Sequence, residues 1–192
     1  MATMNTALWT TDRQTEMYRF FSVAFNAAPG TTYMDQLYDA VISGMSTKEI
    51  VNVFVTKSEF TSVYPRSMPN ATFATKIVDA VVGSSATAAA KAQAAADITA
   101  ALTAGWSRGD IVYQIFTNLA TKPETDADWA GTSKQMANQV AVARYYTETL
   151  NKGGTDLTTL QKVVAGVTAT TDTTSVAALA AVIDTALPPA SQ

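Results

Sequence analysis

The side chains that could do chemistry in this chain are carboxylates, hydroxyls, amides and aromatic rings. None of the 192 residues is histidine or cysteine. Catalytic triads need an imidazole base, and thiolate nucleophiles and the usual zinc sites need cysteine or histidine. The acidic residues are spread singly along the sequence, whereas general acid–base catalysis by carboxylates needs them brought together. These residue types predict a protein that is not an enzyme.

The chain is better equipped for binding carbohydrate than for catalysis. Aromatic rings pack on sugar rings, and side-chain donors bond to sugar hydroxyls. The candidate glycan-binding residues are Trp9, Trp106, Trp129, Tyr64 and Arg66. A structural role is the alternative for two of them, since Trp106 precedes a predicted helix start and Trp129 suits a core position.

A short acidic stretch raises the question of a metal. Glu124, Asp126 and Asp128 alternate along a predicted linker, and carboxylate oxygens are the ligands that calcium prefers. The stretch lacks the glycine and the terminal glutamate of an EF-hand loop. A solvated linker that ends in a helix cap is the alternative, and calcium is the one cofactor that the sequence leaves open.

Two segments of the chain have nearly the same amino-acid pattern. Residues 44–54 read GMSTKEIVNVF, and residues 105–116 read GWSRGDIVYQIF. In each, a glycine that can end a helix comes two residues before a serine, and an acid follows three residues after it. That spacing is typical of a helix N-terminus with a capping box, for which Ser46 and Ser107 are the caps. We therefore predict a duplicated helical hairpin over residues 35–55 and 96–116.

The second copy also contains the tripeptide Arg108-Gly109-Asp110, which is known from cell-adhesion ligands. It falls at a predicted helix start, and the first copy has Thr-Lys-Glu in its place. A structural role is the better interpretation of these three residues.

Hydrophobic periodicity and breakers predict an all-α protein, a compact bundle of about 8–9 helices. One helix is expected to be capped by Asn70, and the longest to run from 129 to about 151. The duplicated region is expected to cover residues 1–122, with C-terminal helices over 123–192 packed on it as one structural domain. Hydrophobic residues make up 47% of the chain, which is enough for a sizeable core.

The charge of the chain argues against nucleic acid as a partner. The net charge of −3 and the pI near 4.8 provide no basic face for nucleic acid. No apolar stretch is long enough for a membrane span, so no membrane-spanning segment is expected. The N-terminal residues show no classical signal peptide.

Four segments together resemble a known family: residues 18–29, 44–60, 129–150 and 163–183. Their order and pattern are similar to the N-terminal helical anchoring domain of Caulobacter-type bacterial S-layer proteins, which leave the cell by type I secretion. The chain departs from that family in having no glycine-rich GGxGxDxUx repeat.

The resemblance implies a non-catalytic protein outside a Gram-negative cell, at the cell surface in the S-layer. It would bind lipopolysaccharide O-antigen, and would assemble with itself or with a separate S-layer lattice subunit. The alternative is a helical protein–protein assembly module of a secreted adhesin or haemolysin-type protein that binds no glycan.

Overall fold

A computed structural model describes residues 4–123 and 125–187. Within these ranges the chain forms ten α-helices and no β-strand, which confirms the all-α prediction. The helices are α1 Thr11–Phe25, α2 Gly30–Ile42, α3 Thr47–Phe54, α4 Ser58–Thr61, α5 Asn70–Val82, α6 Ala88–Thr103, α7 Arg108–Ala120, α8 Ala130–Arg144, α9 Leu157–Ala165 and α10 Val176–Ala186. A 3₁₀ turn, Thr6–Leu8, precedes α1, and a π-helix, Tyr145–Thr149, follows α8.

The core is built around α1, whose C-terminal half is buried on every side. Phe20 is fully buried, and its ring packs edge-on against Phe21 and Phe54 at centroid distances of 5.6 Å. The same core includes Met136 of α8 and Leu160 of α9, so it draws residues from both sides of position 122. None of the described helices is long and apolar enough to cross a bilayer.

The two glycine turns are built alike. Gly44 and Gly105 have φ values of +102° and +108°, in the left-handed region that favours glycine. Their amides donate to Val41 O and Leu102 O, 3.0 and 3.1 Å away. These bonds satisfy carbonyls left open at a helix end, and they recur at a constant offset of 61 positions.

Both predicted caps are confirmed, although the two boxes differ. The Ser46 and Ser107 hydroxyl oxygens accept from the amides of Glu49 and Asp110, at 3.2 and 3.0 Å. Only Asp110 also accepts from its cap's backbone amide, at 3.1 Å. Glu49 instead accepts a bond from the Ser46 hydroxyl, so the complete capping box is the one with the shorter acid.

The duplication extends further back than the hairpins predicted from sequence. With the same offset, α1, α2 and α3 correspond to α5, α6 and α7. We call residues 11–57 the first repeat and residues 72–118 the second repeat. The two differ in packing, because α6 is rich in alanine and approaches α5 closely, whereas α1 and α2 are held apart by rings such as Phe21 and Tyr33.

One local prediction was wrong, and one was right in span but missed a change of helix geometry. Asn70 does not cap α5, because Pro69 occupies the N-cap position and makes no side-chain bond to the helix. Residues 58–61 form the short helix α4. The predicted long helix changes to π geometry after Arg144, where a wider turn lets three consecutive side chains, Tyr145, Tyr146 and Thr147, all face inward.

Candidate functional site

A groove of about 430 Å³ lies between α5, α6, α7 and the start of α8. Its volume is in the range of about 300–1,000 Å³ that small-molecule sites occupy. The walls are aliphatic and include Val81, Ile98, Ala101 and Ile115, all of which are only partly buried. The groove is therefore an accessible apolar surface rather than a closed cavity.

Most of the groove lining comes from the second repeat, and the groove has no open counterpart at the matching positions of the first. Tyr33 and Phe54, which correspond to Ala94 and Ile115, are 4% and 5% exposed and lie in the aromatic core. In the second repeat, Ala94 and Ile115 line the groove. At two positions that line the groove, the second repeat thus has shorter side chains than the core aromatic residues of the first repeat.

Two of the candidate tryptophans, Trp106 and Trp129, line this groove. Trp106 stands in the glycine turn before α7 and is 43% exposed, so much of its ring faces solvent. Trp129 precedes α8 and is half-buried. Its backbone amide donates to Asp126 Oδ1 at 2.7 Å, which holds the turn that carries the ring. The groove therefore has an indole on each of two separate elements.

Amide and carboxylate groups lie along two helices of the groove. On α6, Gln93 Nε2 donates to Asp97 Oδ1 at 2.9 Å, and on α7, Gln114 Nε2 donates to Asn118 Oδ1 at 2.7 Å. Each pair spans one helical turn, so each partner holds the other in place. Both pairs keep further donor and acceptor capacity for a ligand.

The other three glycan candidates lie elsewhere. Trp9 packs edge-on against Tyr38 with ring centroids 5.3 Å apart, and Arg66 is exposed in the loop before α5. Tyr64 is 3% exposed between Phe60 and Phe73, so its ring offers no free face to a sugar. Burial also raises the pKa of Tyr64 to about 12.

Of the three calcium candidates, the structure describes Asp126 and Asp128. Glu124 lies outside the residues that the structure describes. Asp126 Oδ1 accepts from the amides of Asp128 and Trp129, at 3.0 and 2.7 Å, as a cap would. Asp128 is exposed at the groove. No group of three acidic residues with metal-site geometry occurs in residues 4–123 and 125–187.

The adhesion-like tripeptide, Arg108-Gly109-Asp110, makes contacts within the protein. Arg108 donates to Pro65 O at 2.8 Å and to Met68 O, and its guanidinium lies 4.6 Å from the centroid of the Phe73 ring. Gly109 leaves room for the side chain of Asn52, which donates to Asp110 Oδ1 at 3.1 Å. The Arg108 contacts hold the loop between the two repeats, and the Asn52–Asp110 bond joins the repeats themselves, which explains why these residue types occur there.

A second hollow, of about 830 Å³, lies between α9 and α10. Its lining consists mainly of small side chains such as Ala178 and Ala181, and its described lining includes no aromatic residue. It therefore lacks the ring surface on which a sugar would stack.

Sequence reasoning missed the polar groove residues Gln93, Asp97, Gln114 and Asn118. The signal that could have found them is the difference between the repeats, because Gln114 and Asn118 stand where the first repeat has Val53 and Lys57. Comparisons with family models, curated proteins and solved structures found no match to the chain.

Proposed function

We propose that the protein is a non-catalytic cell-surface anchor that binds lipopolysaccharide O-antigen polysaccharide in the groove of the second repeat. The observation that carries the proposal is the pairing of two indole rings with two amide-bearing helix faces around one open groove. Sugars present apolar ring faces edged with hydroxyls, and these two kinds of surface complement them.

The sequence resemblance adds the biological setting. We propose an S-layer role at the outer surface of a Gram-negative cell, in which the domain attaches a paracrystalline lattice to O-antigen chains. The lattice partner would be the same protein or a separate subunit. One groove of this size makes few contacts, so single-site binding should be weak, and firm attachment would come from many copies engaging many chains.

The proposal is tested by co-sedimentation of the purified protein with two kinds of cells. Cells with smooth lipopolysaccharide should carry the protein into the pellet, and isogenic cells without O-antigen should not. The variant Ala94→Tyr, which places the first repeat's tyrosine in the groove, should lose this difference. Ala92→Tyr is the matched control, because Ala92 is exposed on α6 and does not line the groove. Equal sedimentation with both cell types would refute the anchor.

A second candidate is a helical assembly module that binds a protein partner. It is favoured by the aliphatic groove wall, since the matching surface of the first repeat is covered within the protein's own core. An amphipathic helix could cover such a wall. This function, in a secreted adhesin or haemolysin-type protein, predicts a stable complex with a protein partner and no binding to polysaccharide.

A further inference from the structure

We propose that the groove selects glycans that lack acidic groups, and that Asp97 sets this selection. The inference rests on the proposed function of the groove and specifies the class of its ligand. It follows from the charges that line the groove and from the way in which the two repeats differ at that surface.

The groove is acidic where a ligand would lie. Asp97 on α6 and Asp128 before α8 both line it and are exposed. Of the described residues in the lining, Lys122 alone is basic. Uronate and phosphate groups are recognised by arginine or by clusters of donors, so a groove with two carboxylates and one ammonium disfavours them. Neutral hydroxyls and amino groups meet no such repulsion.

Asp97 is the better placed of the two acids. Gln93 Nε2 donates to its Oδ1, and this bond holds the carboxylate on the groove side of α6 while Oδ2 keeps its capacity to accept. A sugar hydroxyl is a donor and can bond to that oxygen. A sugar carboxylate is only an acceptor, and it would bring a second negative charge to the same place.

The first repeat supports the role of Asp97, because it shows which residues occupy the matching positions where no groove is open. Gln36 corresponds to Asp97, and Lys57 corresponds to Asn118. The second repeat therefore has a negative charge and lacks a positive one at positions that line its groove. Both changes act in the same direction, against an anionic ligand.

The test is a titration of the folded chain with two purified O-polysaccharide classes, one neutral and one containing uronic acid, at low and at physiological ionic strength. Wild type should bind the neutral class more tightly. Asp97→Asn should strengthen binding of the acidic class by up to about fivefold at low ionic strength, the most that one exposed charge pair provides. Its affinity for the neutral class should change less, and added salt should shrink the effect.

Asp35→Asn is the matched control, because it removes one negative charge from an exposed position of α2 outside the groove. The ratio of neutral to acidic affinity should stay within about twofold of wild type in this variant. Equal binding of both classes by wild type would overturn the inference and leave the proposed function standing, as would an unchanged ratio in Asp97→Asn. Absence of binding to either class would overturn both.

Discussion

Replacing Arg108 should destabilise the protein more than any exposed surface substitution. Its guanidinium donates to the carbonyl oxygens of Pro65 and Met68, and lies over the Phe73 ring at 4.6 Å. These contacts fasten the loop that connects the two repeats to the start of α7. Truncation of Arg108 to alanine removes these donors, so the two loop carbonyls lose their protein partner and must bond to water instead.

The magnitude follows from the contacts. A hydrogen bond to a charged group contributes about 1.5–3 kcal/mol, and a partly exposed cation–π contact about 0.5–1 kcal/mol. Because the site is partly solvated, we expect Arg108→Ala to lower the free energy of unfolding by about 2–3 kcal/mol. Arg108→Lys should lose about half as much, since lysine keeps the charge but not the planar fork.

Urea unfolding followed by far-ultraviolet circular dichroism measures the change. Arg66→Ala is the matched control, because Arg66 is exposed in the same loop, and its effect should stay within about 0.5 kcal/mol. If Arg108→Ala also stays within that range, the loop is not held by the guanidinium and the reasoning is refuted.

Three further perturbations test the other contacts. Ser46→Ala should cost about 1 kcal/mol and Ser107→Ala about 2 kcal/mol by the same urea assay, because the Ser107 hydroxyl donates to Asn52 Oδ1 of the other repeat at 2.7 Å, whereas the Ser46 hydroxyl donates only to Glu49 of its own helix. Equal costs would contradict this. Asn138→Ala should cost about 2–3 kcal/mol, since this buried amide donates to Thr168 O at 2.9 Å and holds the loop before α10, and a cost below about 0.5 kcal/mol would refute that role. Burial raises the pKa of Asp110, but the hydrogen bonds from Asn52 and Ser107 outweigh it and leave the pKa below its usual value. The contribution of Asp110 to folding stability is therefore present above about pH 4 and is lost as the pH falls through the lowered pKa. Asp110→Asn should accordingly flatten the acid limb of a stability–pH curve.

The sequence predicted best those features that depend on neighbouring residues. The glycine turns and the two serine caps are local, because each is decided by four or five consecutive residues, and both were found where the pattern placed them. The π-helix after Arg144 could not be predicted in this way. It depends on which of Tyr145, Tyr146 and Thr147 the core receives, and that is decided by helices distant in the sequence.

The groove was predictable only in part. Trp106 and Trp129 were among the glycan-binding candidates, and both line it. Tyr64 looked equally suitable, but three-dimensional packing places its ring among phenylalanines. The groove itself depends on alanines such as Ala94, and an alanine gives no local sign that it lies beside an open space rather than a packed one. Only the contrast with Tyr33 at the matching position carries that information.

Calorimetric titration of purified neutral O-polysaccharide into the isolated chain tests the central proposal most directly. Wild type and Ala92→Tyr should show weak binding that moderate salt changes little, because stacking and neutral hydrogen bonds are only weakly screened. Ala94→Tyr should show none, since the ring occupies the groove. Tight binding that collapses with salt would indicate that basic side chains grip an anionic group instead. Undiminished binding by Ala94→Tyr would show that the polysaccharide does not bind in this groove.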